Sequence, residues 1–135
     1  MNISLPNTIE RVRIHTKEKV NQKIDEKMVE SITKYYKGSR EDVLKRLQEL
    51  DAEWDIERTL ETHAATAALA SSVIGFFTKE RKWYAVTGVI GGFLLQHALQ
   101  GWCPPVSILR RFGVRTLSEI EQEKSALRVL LERKS

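Results

Sequence analysis

Two stretches of this chain carry no charged residue: THAATAALASSVIGFFT (62–78) and the run 83–109, which contains WYAVTGVIGGFLLQHALQGWCPP. Only KERK (79–82) separates them. Charge is dense elsewhere, with 12 Lys or Arg against 13 Asp or Glu in residues 1–61 and 7 against 4 in residues 110–135. This segregation constrains the fold more than the formal net charge of +4 does. Each uncharged window is long enough for a helix apolar on most sides, and such a helix must be surrounded by lipid or by other protein.

The spacing favours lipid. Trp83 to Trp102 spans 20 residues, about 30 Å of helix, which matches the hydrocarbon thickness of a bilayer. Trp83 and Tyr84 at one end and Trp102 at the other stand where interfacial aromatic belts form. The shorter, Ala-rich window 62–78 is a marginal insert alone, but the short turn lets the two enter as a hairpin. Gly88 and Gly92 form a GxxxG step, and Ala64, Ala68, Ser72 and Gly75 supply small residues on the other helix, so close packing of the two is expected. The competing expectation is a soluble bundle with this hairpin as its core, which is unusual for 135 residues. Lys45, Arg46, Arg58, Arg110, Arg111 and Arg115 flank the base of the hairpin against Lys79, Arg81 and Lys82 at its turn. This bias predicts both termini in the cytoplasm.

The remaining sequence reads as helix, so the predicted fold class is all-α. Asn7 and Glu10 have capping-box spacing, and helical periodicity follows through Ile9, Val12, Val20, Ile24, Met28, Ile32 and Tyr35. The stripe drifts, which predicts either a break near residues 21–22 or a winding contact. Gly38 stops this helix, and Ser39 with Asp42 starts another through Val43, Leu47, Leu50 and Trp54. The two carry opposite net charge and are expected to form an antiparallel hairpin, the second running on into residues 62–78. Alternatively the first lies on an anionic bilayer surface through Lys17, Lys19, Lys23 and Lys27. Pro104-Pro105 starts a short helix closed by Gly113, and Thr116 with Glu119 opens the last. The expected organisation is a cytosolic region 1–61, a transmembrane hairpin 62–103 and C-terminal cytosolic helices 104–135.

Residues 101–127, GWCPPVSILRRFGVRTLSEIEQEKSAL, resemble a signature of the YgaP-like inner-membrane domain family. In that family a glycine-containing apolar helix leads into a Cys-Pro step and then a glycine, positions matched here by Gly88, Gly91, Gly92, Cys103, Pro104 and Gly113. The resemblance covers roughly residues 58–127 and implies a two-helix hairpin in a bacterial inner membrane. Some members carry an attached rhodanese, but this chain has no second cysteine and no α/β pattern to support sulfur transfer.

Chemistry-bearing residues are few. Cys103, the single cysteine, is a thiol candidate, with His97 and Arg110, and also Arg111, placed to tune it. His63, His97 and Cys103 are three weak metal ligands without a CxxC or HxxxH pair, so no metal site or cofactor is expected. Glu53, Glu57 and Glu61 form a four-residue-spaced line, read as the ion-pairing partner of a basic helix. No P-loop, HExxH, nucleophile-elbow or Rossmann pattern occurs. The pI near 9.3 invites nucleic acid, but no basic face or recognition motif accompanies it. The chain is expected to be a non-catalytic inner-membrane protein that contacts the bilayer, self-associates and docks a protein partner through residues 7–61. A membrane-tethered thiol protein using Cys103 and a soluble helical interaction domain are the alternatives.

Overall fold

The computed structural model describes residues 5–135 and, among them, contains helices and no strand. Seven helices follow in order: α1 (Arg11–Ile14), α2 (Glu18–Lys37), α3 (Arg40–Ala52), α4 (Ile56–Thr78), α5 (Arg81–Gln100), α6 (Pro104–Arg111) and α7 (Leu117–Arg133). The helices α4 and α5 form a long antiparallel pair, and the others gather into a helical head at its base. No helix among the described residues is, taken singly, long and apolar enough to cross a membrane.

Several boundaries are set by caps legible in the sequence. Ser39 and Asp42 form a reciprocal capping box at α3, and Thr116 and Glu119 do so at α7. Prolines occupy the first turn of α6 behind Cys103, where missing amide donors cost nothing. Gly101 (φ +74°) and Gly113 (φ +86°) take left-handed conformations after α5 and α6.

Other boundaries differ from expectation. The long first helix is interrupted at residues 15–17, not 21–22, because Lys17 adopts an extended conformation. Asn21 stabilises that break: its Nδ2 donates to the carbonyl of Arg13 at 3.0 Å, an acceptor at the end of α1 that the Thr16 amide also reaches at 3.1 Å. Asn7 does not cap a helix with Glu10. Its Oδ1 accepts from Ile9 N–H in a local turn, and Glu10 itself precedes α1. Nor does α3 run into α4. Glu53 leaves the helix, and Asp55 accepts from Arg58 N–H at 2.9 Å to start α4 afresh.

The expected α2–α3 hairpin is also replaced. The last helix, α7, packs against both, burying Val43, Leu50, Ile120, Leu127 and Leu130 with Ile32, Tyr35 and Leu47 around them. Lys134 fixes the far end by donating from Nζ to the carbonyls of Gly38 (2.6 Å) and Tyr36 (3.0 Å). A second core of Val12, Ile56, Leu60, Cys103 and Val106 joins α1, α4 and α6 at the hairpin base. Each such aliphatic side chain contributes about 1.5–3 kcal/mol of burial, which makes these two cores the apolar anchors of the head.

Candidate functional site

The pair α4–α5 sorts its residues by side. Ser71 and Gly75 of α4 are buried, and Ala64, Ala68 and Ser72 are half-buried beside them. The facing side of α5 is built from Trp83, Thr87, Leu94 and His97. The Thr87 hydroxyl meets Ser71 Oγ at 2.6 Å and Ser72 Oγ at 3.2 Å, so the hydroxyls at mid-hairpin satisfy one another. Near the turn Gly75 lies against Trp83 and Tyr84, where an added Cβ would sit 3.1 Å from Trp83 Cβ. The turn itself places Lys79 in the left-handed region (φ 56°) and pairs Lys82 with Glu80 at 2.7 Å.

The outer sides are apolar and exposed. Leu69, Val73, Phe76 and Phe77 project from α4, and Val89, Phe93, Leu95 and Leu99 from α5, with Phe77 reaching 78% exposure. Gly88 and Gly92 belong to this outer surface: nothing lies within 4 Å of a Cβ built on either. The expectation that they pack on α4 is therefore corrected. At 100° per residue, Gly88, Gly92, Leu95 and Leu99 share a face opposite the one holding Thr87 and His97.

At the base, α1 locks the two stems together. Arg11 donates from Nη2 to Glu57 Oε1 (3.0 Å) and from Nη1 to the carbonyl of Ala98 (2.8 Å). His97, buried to 3% exposure, holds the other oxygen of Glu57 through Nε2 at 2.7 Å. The His97 and Arg11 partners hold the Glu57 carboxyl below its ordinary value of 4.5 against the upward push of burial. His63 is exposed and bonded through Nδ1 to its own helix at the Thr59 carbonyl. Among the described residues no three His, Cys, Asp or Glu side chains assemble into a group able to hold a metal, so His63, His97 and Cys103 are not brought together as one.

Cys103 is wholly buried in the second core. Arg110 does not serve it. Its Nη1 and Nη2 go to Glu119 (2.7 and 2.8 Å), the Val114 carbonyl (3.1 Å) and Asn21 Oδ1 (2.8 Å), and its Nε to Thr16 Oγ1 (3.3 Å). All five donors are spent, which corrects the expectations that Arg110 tunes the thiol or flanks the membrane as a free cation. Arg115, also expected at the membrane interface, is instead buried between Glu53 and Glu123. Of these three arginines only Arg111 stays exposed. Trp102 is half-buried, with its indole Nε1–H on Ser107 Oγ at 2.8 Å.

The carboxylates that order the head were not evident as such in the sequence. Glu119 accepts from Arg110, from Arg13 Nη1 (2.6 Å) and from the Thr116 amide (2.8 Å). Glu123, one turn on, accepts from Ser31 Oγ (2.6 Å), Arg46 Nε (3.1 Å) and Arg115. Burial pushes both carboxyls up, but these donors outweigh it and hold both below 4.5. The acidic line read from spacing is divided: Glu53 serves Arg115, Glu57 serves Arg11 and His97, and Glu61 is exposed. Its cationic partners are arginines of α1 and of the loop after α6, not lysines of the first long helix.

Beside the hairpin base lies an apolar groove of about 420 Å³, lined by Leu60, Ala64, Ile90, Leu94, Pro105 and Ile108 among others. The outward ridge of α6 next to it, Ile108 and Phe112, is exposed. Residues 55–119, which hold α4, α5, α6 and the start of α7, match the family model described as inner membrane protein YgaP-like, transmembrane domain. No curated protein and no solved structure matches the chain.

Proposed function

We propose, from the match of residues 55–119 to the family model of the YgaP-like transmembrane domain, described as an inner membrane protein domain, that α4 and α5 enter the bilayer together as one closed hairpin. The observation that carries this reading is the sorting of its two sides. Hydroxyls and small residues close inward at Ser71, Ser72, Gly75 and Thr87, while Leu69, Phe76, Phe77, Val89 and Leu95 face out. Averaged along one helix, Ala, Gly, Ser and Thr dilute the apolar character. In the pair, Ser71, Ser72 and Thr87 bond one another, Thr66 and Thr78 bond carbonyls of their own helix, and lipid meets the large side chains. Both termini and the head lie on the cytoplasmic side in this reading, the KERK turn on the other.

The chain acts by association, not catalysis. Its outer α5 face carries Gly88 and Gly92 one turn apart in open space, which lets the backbone of a second copy approach closely. Cys103, enclosed among Val12, Ile56, Leu60 and Val106, fits a packing role better than thiol chemistry. Docking of a protein partner through residues 7–61 remains part of the proposal.

Washing membranes of an expressing bacterial host with alkaline carbonate tests the reading: the chain should stay in the pellet. In a Cys103→Ser background, Glu80→Cys should react with a membrane-impermeant maleimide added to intact cells. Recovery of the chain in the wash as a monodisperse oligomer would establish a second reading, a water-exposed helical interaction domain. That reading is favoured by the lack of any singly adequate span among the described residues.

A further inference from the structure

On the far side of α6 from the apolar groove, a cleft of about 410 Å³ is lined by Lys19, Val20, Lys23, Ile24 and Lys27 of α2 with Arg111 and Gly113. The three lysines recur every fourth residue, a row about 12 Å long. Lys19, Lys23, Lys27 and Arg111 are all exposed, and none has an ion-pair or hydrogen-bond partner among the described residues. The buried Arg110 forms part of the wall but has no free donor. Glu26 and Glu30 of α2 line a neighbouring groove with Gln22 and Val29, Asp25 there is held by Arg13, and Glu53 and Glu123, in the adjoining concavity that Lys27 also lines, are bound by Arg115.

The ridge between groove and cleft is apolar. Ile108 of α6 and Phe112, the residue that caps its end, are 54% and 81% exposed. Arg111 flanks that ridge on its cleft side. An exposed apolar ridge bordered by unpaired cations is the arrangement of a helix lying in the plane of a bilayer interface, ridge in the acyl boundary and cations among the phosphates. Continuity with the hairpin through the short Gly101–Cys103 link sets the ridge close to the hairpin stems.

We propose that the cleft between α2 and the end of α6 is a binding site for the headgroup of an anionic phospholipid, held by Lys19, Lys23, Lys27 and Arg111. The proposal rests on the membrane reading above. Four unneutralised cations converging on one concavity favour an anion, and the adjoining Ile108–Phe112 ridge favours one that carries acyl chains over one free in water.

The test uses the full chain in neutral detergent, with bound lipid counted by native mass spectrometry against phosphatidylglycerol or phosphatidylcholine. Wild type should retain phosphatidylglycerol in preference, and K19Q/K23Q/K27Q should lose roughly a hundred-fold in affinity, about five-fold per charge. These side chains make no bond within the described residues, so the helix content and melting of the variant should match wild type. The equal-charge control K34Q/K37Q/K45Q should keep the preference. Equal loss in both variants, no preference in wild type, or displacement of the lipid by inorganic phosphate at constant ionic strength would each overturn the site. Flotation with phosphatidylcholine vesicles separates the two levels. A chain that floats without a phosphatidylglycerol preference ends the headgroup proposal alone, and one that does not float ends both.

Discussion

Arg110 and Glu119 face each other as a two-pronged ion pair, Nη1 to Oε2 at 2.7 Å and Nη2 to Oε1 at 2.8 Å, with 1% and 2% of their side chains exposed. Such a pair adds little beyond an apolar pair of equal volume, but removing one partner leaves a charge stranded. Glu119→Gln strands Arg110 and weakens Arg13, and should lower stability by about 3–5 kcal/mol in thermal or denaturant unfolding. Asp51→Asn, which removes the exposed partner of Lys124 and leaves that lysine its bond to Glu121, should cost far less. Similar losses for the two would show that the Glu119 network does not hold the head together.

The same carboxylates set an acid limit. Glu119 and Glu123 have folded pKa values below the ordinary 4.5, so at low pH the unfolded chain binds protons more readily than the folded one. Their contribution is fully present above pH 4.5 and is lost as pH falls through the lowered folded values. Melting followed by circular dichroism should give a nearly constant midpoint from about pH 7 to 5 and a steep fall below 4.5. A midpoint that rose on acidification would contradict the sign.

Two glycines with left-handed backbones should differ in what they tolerate. Gly113→Ala meets no atom within 4 Å and carries only the conformational cost, about 1–2 kcal/mol. Gly101→Ala drives a Cβ to 2.4 Å from Arg11 Cγ and 2.6 Å from the Arg11 backbone carbon, so α1 must move off the hairpin base. Its unfolding midpoint should fall further, with increased proteolysis ahead of Val12.

Cys103 should behave as a packed side chain. Native chain should resist a thiol reagent over minutes and react fully once unfolded, in keeping with its complete burial. Fast native labelling would restore the thiol alternative.

Opposite faces of the hairpin should answer differently to bulk. Gly75→Leu intrudes on Trp83 and Tyr84 and should destabilise the fold by about 1–3 kcal/mol. A Cβ at Gly88 has no atom within 4 Å, so Gly88→Leu should leave melting unchanged while reducing cross-linked dimer in membranes. A dimer yield unaffected by Gly88→Leu and Gly92→Leu would remove self-association through that face.

Local chemistry made the capped starts of α3 and α7, the Cys-Pro-Pro entry to α6 and the turn at KERK readable from sequence, because each is decided within a few residues. The pairing of Arg13 with Glu119, 106 positions away, was not readable: an arginine in the first helical stripe looks the same whether it faces water or a distant carboxylate. Likewise the insertion of α7 against α2 and α3 rests on contacts distant in sequence, Glu123 with Ser31 and Arg46 beside a shared apolar core, and not on the opposite net charges of those two helices. Asp55 was the missed local signal. An aspartate three residues before Arg58, following Trp54, has the form of a helix start, and it ends the continuity expected between α3 and α4. The sidedness of Gly88 was also available in principle, since Thr87 and Gly88 cannot both face α4.

Two clasps join the hairpin to the head, one on α4 alone and one shared by both stems. Ile56 N–H is held by the Arg115 carbonyl at 2.7 Å, and Ala98 and Glu57 are gripped by the one guanidinium of Arg11. A lean of the hairpin therefore drags the amino-terminal segment with it. One guanidinium thus yokes both stems to α1, so the base of the hairpin and the first helix form a single mechanical unit.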